Sequence, residues 1–343
     1  MTNYKPELRQ DPVSGDWILF APKRGEKPHT FFKANKSDKS DKSDRAYKSK
    51  KTCPFENILE THKPISVYKS GRKNGDWKIV IVENKYPAVV HKKSVCARDF
   101  RHGIYSLVDG VGHHNVVVTR DHNRNFANLS RLEANMVFLA FRDRYLTLLN
   151  DPCLAYILIF HNWGPTAGAS VYHPHYQLIA VPVVPPDVQH SLTGSLNYFK
   201  KYGRCVHCEM IRTEKKERKR IVFENDGAVV FAPFVSREPF ELRIFPKKHS
   251  SYFENSSDAE LEDIVSALQF SLKRIESKLG GADYNFFIHT APVKDREKYH
   301  HYHWHLEIVP KTNISAGFEL GTGIEINVMD PDFAAKVLRK KIK

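Results

Sequence analysis

Apolar residues fall along the chain in short alternating runs, and twice these runs lead into one long stretch with helical spacing. The first set is VENKYPAVV at 82–90, VVVTRDH ending at His122, a helical pattern over 130–149, YILIFHN at 156–162 and HPHYQLIAVP at 173–182. The second is FENDGAVVF at 223–231, LRIFPKKH ending at His249, a helical pattern over 258–279, YNFFIHT at 284–290 and HWHLEIVP at 303–310. Alternation puts every second side chain on one face of a strand, whereas spacings of three and four mark one face of a helix. A cysteine turn leads each set, CPFE at 53–56 and CVHC at 205–208. The histidine spacings also agree, 51 residues from His122 to His173 and 54 from His249 to His303. A recurrence of six elements in one order predicts an internal duplication. The expected fold is α+β, with antiparallel sheets and one long helix packed per half. The halves are expected at residues 1–186 and 187–343.

The length of 343 residues suits two such units. Composition adds one anomaly, a formal net charge of +14. Much of it lies in two runs. Residues 33–51 form a Lys-Ser-Asp low-complexity segment with a net of +5, and RTEKKERKR at 212–220 has a net of +4. Both read as solvated loops, because neither carries the interleaved aromatics of a nucleic-acid stacking platform. Nucleic acid is therefore not the expected partner, and small anions are. No run approaches the ~18–20 apolar residues of a membrane helix, and the first ten residues are polar, so a cytoplasmic protein without membrane attachment is expected. Five cysteines, an odd number, argue against a disulfide framework. Cys96 and Cys153 have no partner pattern and are expected as buried small apolar residues.

The other three cysteines are better placed. Two ligands from one turn plus two from distant strands is how a four-ligand metal site closes. The second half offers Cys205, Cys208, His249 and His303, a donor set suited to tetrahedral Zn²⁺. The first half offers Cys53, Glu56, His122 and His173. A carboxylate in place of the second thiolate suits zinc, but also admits iron or another divalent ion.

On a strand, His173, His175 and Gln177 share one face. If His173 is tied to a metal, His175 is held beside it and free to act. An imidazole attacks phosphorus well when its other nitrogen is hydrogen-bonded to a main-chain carbonyl. Gln177 can donate to a phosphoryl oxygen as charge develops. Just upstream, HNWGPTAGAS at 161–170 offers a Gly-containing phosphate cradle with Asn162 and Ser170. The matching row of the second half reads His303, His305, Glu307, and a carboxylate there would repel a phosphate.

These motifs resemble the galactose-1-phosphate uridylyltransferase family of the histidine-triad superfamily, especially its short members and ADP-glucose phosphorylase. The resemblance spans nearly the whole chain, from ELRQDPVSGDWILFAPKRGEKP through CPFE, ENKYPAV, GASVYHPHYQLIAVPVVPP, CVHC and HWHLEIVPK to AGFELGTGIEIN. It implies a duplicated histidine-triad-like fold and a cytoplasmic homodimeric nucleotidyltransferase with two metal sites. The implied chemistry is ping-pong transfer. His175 attacks a nucleoside-diphosphate sugar, a sugar 1-phosphate leaves, and a second acceptor takes the nucleotidyl group. Gln177, Ser170 and Asn162 match phosphate-contacting positions. Asn84 and Tyr86 match the nucleoside pocket, Arg24 and Lys27 the acceptor-phosphate grip, and Glu319 a sugar-hydroxyl contact. The sequence departs from the family at Lys27, where many members have Arg, at Glu56, and at Asn313 and Phe318 near Glu319. The leading expectation is a UDP-glucose–hexose-1-phosphate uridylyltransferase. The alternatives are an ADP-glucose phosphorylase and a non-catalytic, metal-stabilised nucleotide- or RNA-binding protein.

Overall fold

The computed structural model describes residues 5–26, 47–69, 71, 76–91 and 96–341. The chain opens with a hairpin of β1 (Glu7–Gln10) and β2 (Trp17–Phe20). A short turn of helix, α1 (Ile58–Thr61), follows the first cysteine turn. The first half then contributes β3 (Pro64–Lys69), β4 (Trp77–Glu83), a small hairpin of β5 (Asp99–His102) and β6 (Tyr105–Val108), and β7 (His113–Thr119). Helix α2 (Arg131–Leu148) leads into β8 (Tyr156–Trp163) and β9 (His175–Val181). Two helices, α3 (Pro186–Tyr202) and α4 (Val206–Glu217), connect the halves. The second half repeats the scheme with β10 (Ile221–Glu224), β11 (Ala228–Phe231), β12 (Leu242–Pro246), helix α5 (Asp258–Lys278), β13 (Tyr284–His289) and β14 (His305–Pro310). Helix α6 (Gly317–Thr322), β15 (Ile326–Asn327) and α7 (Pro331–Arg339) close the chain. Strand β15 runs parallel to β2.

Ten strands form one antiparallel sheet in the order β10-β11-β12-β14-β13-β8-β9-β7-β4-β3. From either edge inward the equivalent strands follow in the same order, so the duplication expected from the repeated motifs is present. The halves meet where β8 pairs with β13, Phe286 opposite His161. The two long helices occupy the ranges that the periodicity predicts. Each begins at a serine that accepts the N–H of a glutamate three residues on, Ser130 with Glu133 and Ser257 with Glu260. Each glutamate reaches back to the serine N–H, which satisfies two of the donors a helix start leaves open. Ala134, Val137, Phe138, Phe141, Tyr145 and Leu148 of α2 are buried at three- and four-residue intervals. Leu261, Ile264, Val265, Leu268, Leu272 and Ile275 do the same in α5. Both faces enter a single core with Tyr176, Phe286 and Trp304 of the sheet side.

Three expectations are corrected here. First, the basic run at 212–220 is not a loop, for α4 extends to Glu217. Arg220, almost fully buried, is held by Glu214 at 2.9 Å, Glu217 at 2.7 Å and Asp332 at 2.9 Å. Carboxylates at i and i+3 on the helix and one from α7 neutralise the guanidinium, a constellation that charge counting cannot reveal. Second, Cys96 and Cys153 are not separate buried thiols but form a disulfide, Cα–Cα 4.9 Å, across 57 residues of chain. Spacing alone gave no sign of it, because the turn after α2 is brought to residue 96 only by sheet pairing. In the chain-entropy model a loop of that length stabilises by about 4 kcal/mol. Third, the basic run at 33–51 lies outside the described residues as far as 46, but its end reaches the site. Tyr47 donates its hydroxyl to Ala169 O at 3.2 Å, and Lys48 O accepts the His122 ring N–H at 3.1 Å.

Candidate active site

His175 opens β9, between β7 and β8, with Val118 opposite it and Gln177 opposite Phe160. It is nearly buried, and its Nδ1–H donates to the His173 carbonyl at 2.9 Å. That bond puts the proton on Nδ1 and leaves the lone pair on Nε2. Burial also lowers the ring's proton affinity, so the imidazole stays neutral near neutral pH. Phe55, from the first cysteine turn, packs at a tilt against the ring, with centroids 5.2 Å apart. The strand is buttressed from beneath by His161, whose Nδ1–H donates to His175 O at 2.7 Å. Complete burial pulls the His161 pKa down to about 3, so it acts as a neutral donor.

Gln177 is fixed by a histidine that the motif reading missed. His114 Nδ1 accepts the Ala88 N–H at 3.0 Å, so its proton sits on Nε2. That N–H donates to Gln177 Oε1 at 2.9 Å. The carboxamide is thereby oriented with its NH₂ end free for another acceptor. Asn84 lies 3.0 Å from the same His114 nitrogen, while its Oδ1 takes the Tyr86 N–H at 2.9 Å. The structure therefore gathers Asn84, His114 and Gln177, with the Tyr86 ring largely exposed beside them. The adjacent pair His113-His114 on a strand was the available signal, since only one of two neighbours can face each side.

The cradle at 164–170 is shaped from the other half. Gly164 and Gly168 have φ near +85° and +87°, and a Cβ at Gly164 would overlap the Asp283 carboxylate. Asp283 accepts the Thr166 N–H at 2.8 Å and its hydroxyl at 2.6 Å. Asn285 Nδ2 donates to both Asn162 Oδ1 and Ala167 O at 2.8 Å. Ser170 is exposed at the end of this loop. Asp283 and Asn285 carry no local motif, and only the β8–β13 pairing delivers them.

Both expected metal-ligand sets converge, each with one donor atom per residue within 4.8 Å of the others. In the first, Cys53 Sγ lies 3.5 Å from His173 Nδ1, and His122 Nδ1 lies 2.8 Å from Glu56 Oε1. His173 Nε2–H donates to Thr119 O at 2.7 Å and His122 Nε2–H to Lys48 O. Both Nδ1 atoms therefore present lone pairs to a carboxylate and a sulfur. Glu56 Oε1 and His122 Nδ1 are buried, and no hydrogen bond satisfies either. Lone pairs turned on one another in a buried site fit a cation between them. The second set repeats the device. His249 and His303 donate Nε2–H to His300 O at 2.9 Å and Pro246 O at 3.0 Å, and turn Nδ1 to Cys208 Sγ at 3.3 and 3.4 Å. Cys205 stands at the N-cap position of α4 and Cys208 lies in its first turn, where the helix dipole favours thiolates.

The second-half row is built differently. His305 Nδ1–H donates to His303 O at 3.1 Å, as His175 does to His173. Its ring, however, is sandwiched between Phe245 and His289, each with centroids 4.7 Å away. Burial opposes ionisation of Glu307, yet Arg237, Arg243 and His289 hold it well below the usual carboxylate range. The carboxylate is thus consumed internally and does not simply face an empty site. Arg24 stands exposed on the helical turn Pro22–Glu26. Lys27 lies outside the described residues. Glu319 caps its own helix by accepting the Ala316 N–H at 3.1 Å, and among the described residues no hydrogen bond joins it to the His175 row.

Comparison with known proteins accords with this architecture. The family model described as "Domain of unknown function (DUF4921)" matches residues 55–342. ADP-glucose phosphorylase of Arabidopsis thaliana is 33% identical over 98% of this chain and 93% of its own length. Its crystal structure with bound ADP-glucose superposes with a TM-score of 0.81 over 98% of this chain and 99% of that one, at 32% identity. Galactose-1-phosphate uridylyltransferase of Thermotoga maritima is 26% identical over 97% of this chain and 98% of its own length. The chain belongs to the DUF4921 family, within the galactose-1-phosphate uridylyltransferase-like nucleotidyltransferases of the histidine-triad superfamily.

Proposed function

We propose that the chain transfers the nucleotidyl group of a nucleoside-diphosphate sugar through a covalent intermediate on His175, and that the donor is ADP-glucose with inorganic phosphate as acceptor. The observation that carries transfer is the His175 Nδ1–H bond to the His173 carbonyl, which readies Nε2 for attack. Nε2 attacks the α-phosphorus, the P–O bond to the sugar phosphate breaks, and glucose 1-phosphate departs. Phosphate then attacks the adenylyl-histidine, releasing ADP and restoring the free imidazole. Gln177, oriented by His114, donates to the phosphoryl oxygens, and Ser170 and Asn162 steady them. Asn84 and Tyr86 would line the nucleoside side, and Arg24 and Lys27 would meet the acceptor phosphate. Cys53, Glu56, His122 and His173 would hold one divalent ion and Cys205, Cys208, His249 and His303 another, zinc suiting both. Such an ion would act by tying the cysteine turn to the strand that carries His175. The catalytic row belongs to residues 1–186, and 187–343 would supply the cradle's supports and the second ion.

The adenylyl reading rests on 33% identity over nearly the full length to a protein that acts on ADP-glucose. The uridylyl reading uses the same residues, and the match of Glu319 to a sugar-hydroxyl contact favours it. In that reading a second copy would bring Glu319 to the row in a homodimer. Two assays separate them, ADP-glucose with phosphate and UDP-glucose with galactose 1-phosphate. ADP formation in the first and no exchange in the second is the expected result. The reverse pattern would transfer the assignment to the uridylyltransferases.

The role given to His114 makes a separate prediction. Its truncation in His114→Ala should lower kcat by about 10–100-fold, less than loss of a direct oxyanion donor, with little change in KM. His114→Gln, whose amide can still donate to Gln177, should recover part of the loss. Equal kcat in all three proteins would show that Gln177 needs no such support.

A further inference from the structure

A third group of potential ligands lies apart from the His175 row and from both cysteine sets. His113 Nε2 lies 3.0 Å and His91 Nδ1 3.6 Å from the same oxygen, Asp151 Oδ2. The two imidazoles stack with centroids 4.2 Å apart and planes at 22°. The three donor atoms lie within 4.8 Å of one another and line a cavity of about 430 Å³. They come from separate segments: His91 follows the Val90–Val111 bridge, His113 opens β7, and Asp151 lies in the turn after α2.

The carboxylate is held in place. Asp151 Oδ1 accepts the Cys153 N–H at 2.9 Å, which leaves Oδ2 to the imidazoles. Cys153 is itself bonded to Cys96, so the disulfide clamps the Asp151 turn to a residue near His91. Arg144 also lines the cavity, its Nε donating to Asn115 at 2.8 Å. Two imidazoles face to face repel one another once both are protonated, and one carboxylate oxygen cannot satisfy two charged rings. Two neutral imidazoles and a carboxylate are instead a familiar donor set for a divalent transition metal, with open positions for water.

We propose that His91, His113 and Asp151 bind a divalent metal ion of the zinc class, water completing its coordination, in a third site that contains no thiolate. This does not depend on the reading of His175. The test uses the full chain loaded with Co²⁺ and freed of excess ion, with metal counted by mass spectrometry. Thiolate ligands give cobalt an intense charge-transfer absorption, whereas a His/Asp site adds only weak ligand-field bands. The variants are His91→Ala, at an exposed position, and Asp151→Asn, which keeps an oxygen for the Cys153 N–H. Each should carry one equivalent fewer than wild type, with the charge-transfer band unchanged. Equal metal content in wild type and both variants would overturn the proposal. A charge-transfer loss in parallel with the metal loss would overturn it too, since the missing ion would then belong to a cysteine set.

Discussion

Substitution His175→Ala is expected to abolish turnover, by ~10⁴-fold or more, and to erase a covalent adduct that the wild type forms. The size follows from the role. A nucleophile cannot be replaced by binding energy alone, and the residual rate is only what positioning lends to direct attack by the acceptor. The readout is mass spectrometry after brief exposure to ADP-glucose or UDP-glucose, without acceptor. The wild type should gain one nucleotidyl group, and its mass reports the base. His175→Ala should gain none while keeping the core intact, because the ring contributes one face to Phe55 and one hydrogen bond to a neighbouring carbonyl. An unmodified wild type with both sugars, together with nucleotide binding that weakens steeply with salt, would instead support the non-catalytic nucleotide-binding alternative. A variant retaining wild-type rates would remove His175 from the mechanism.

Why so much of this site was legible is a matter of local geometry. The row at 173–177 is readable because strand periodicity alone puts His173, His175 and Gln177 on one face. The metal sets are readable because each cysteine turn recurs with matching histidines. Both long helices are readable because their apolar residues recur at three- and four-residue spacings. What escaped depends on pairing between distant segments. His114 reaches Gln177 only because β7 lies beside β9. Asp283 and Asn285 shape the 164–170 loop only because the halves join through β8 and β13. The Cys96–Cys153 bond and the buried Arg220 network are likewise products of the third dimension. Charge counting misled in one respect. It treated residues 212–220 as one solvated run, whereas Arg220 is an internal ion and Arg212 pairs with Glu209 on the helix surface.

Substitution Cys205→Ser is expected to remove one metal equivalent per chain and to lower stability by several kcal/mol. Serine nearly preserves the volume, and a hydroxyl in place of the thiol at this buried position should itself cost only about 1–2 kcal/mol. Loss of the ion costs more. Its four ligands join the start of α4 to the segments around β12 and β14, with Cys205 and His303 almost fully buried. Structural zinc contributes ~10–16 kcal/mol in small zinc-dependent peptides, where folding and binding are one event. A domain with an extensive core of its own depends on the ion less, and about a third of that value, roughly 4 kcal/mol, is a reasonable expectation. For 343 residues such a change lowers Tm by about 5 °C. Chelation of the wild type should bring its Tm down at least to that of the variant, since a chelator strips every site. The result that would sink this account is equal metal content in variant and wild type with a Tm that chelator leaves unmoved. The histidines argue against that outcome. Each directs its Nε2–H to a main-chain carbonyl, which in the neutral ring leaves the Nδ1 lone pair facing the sulfur.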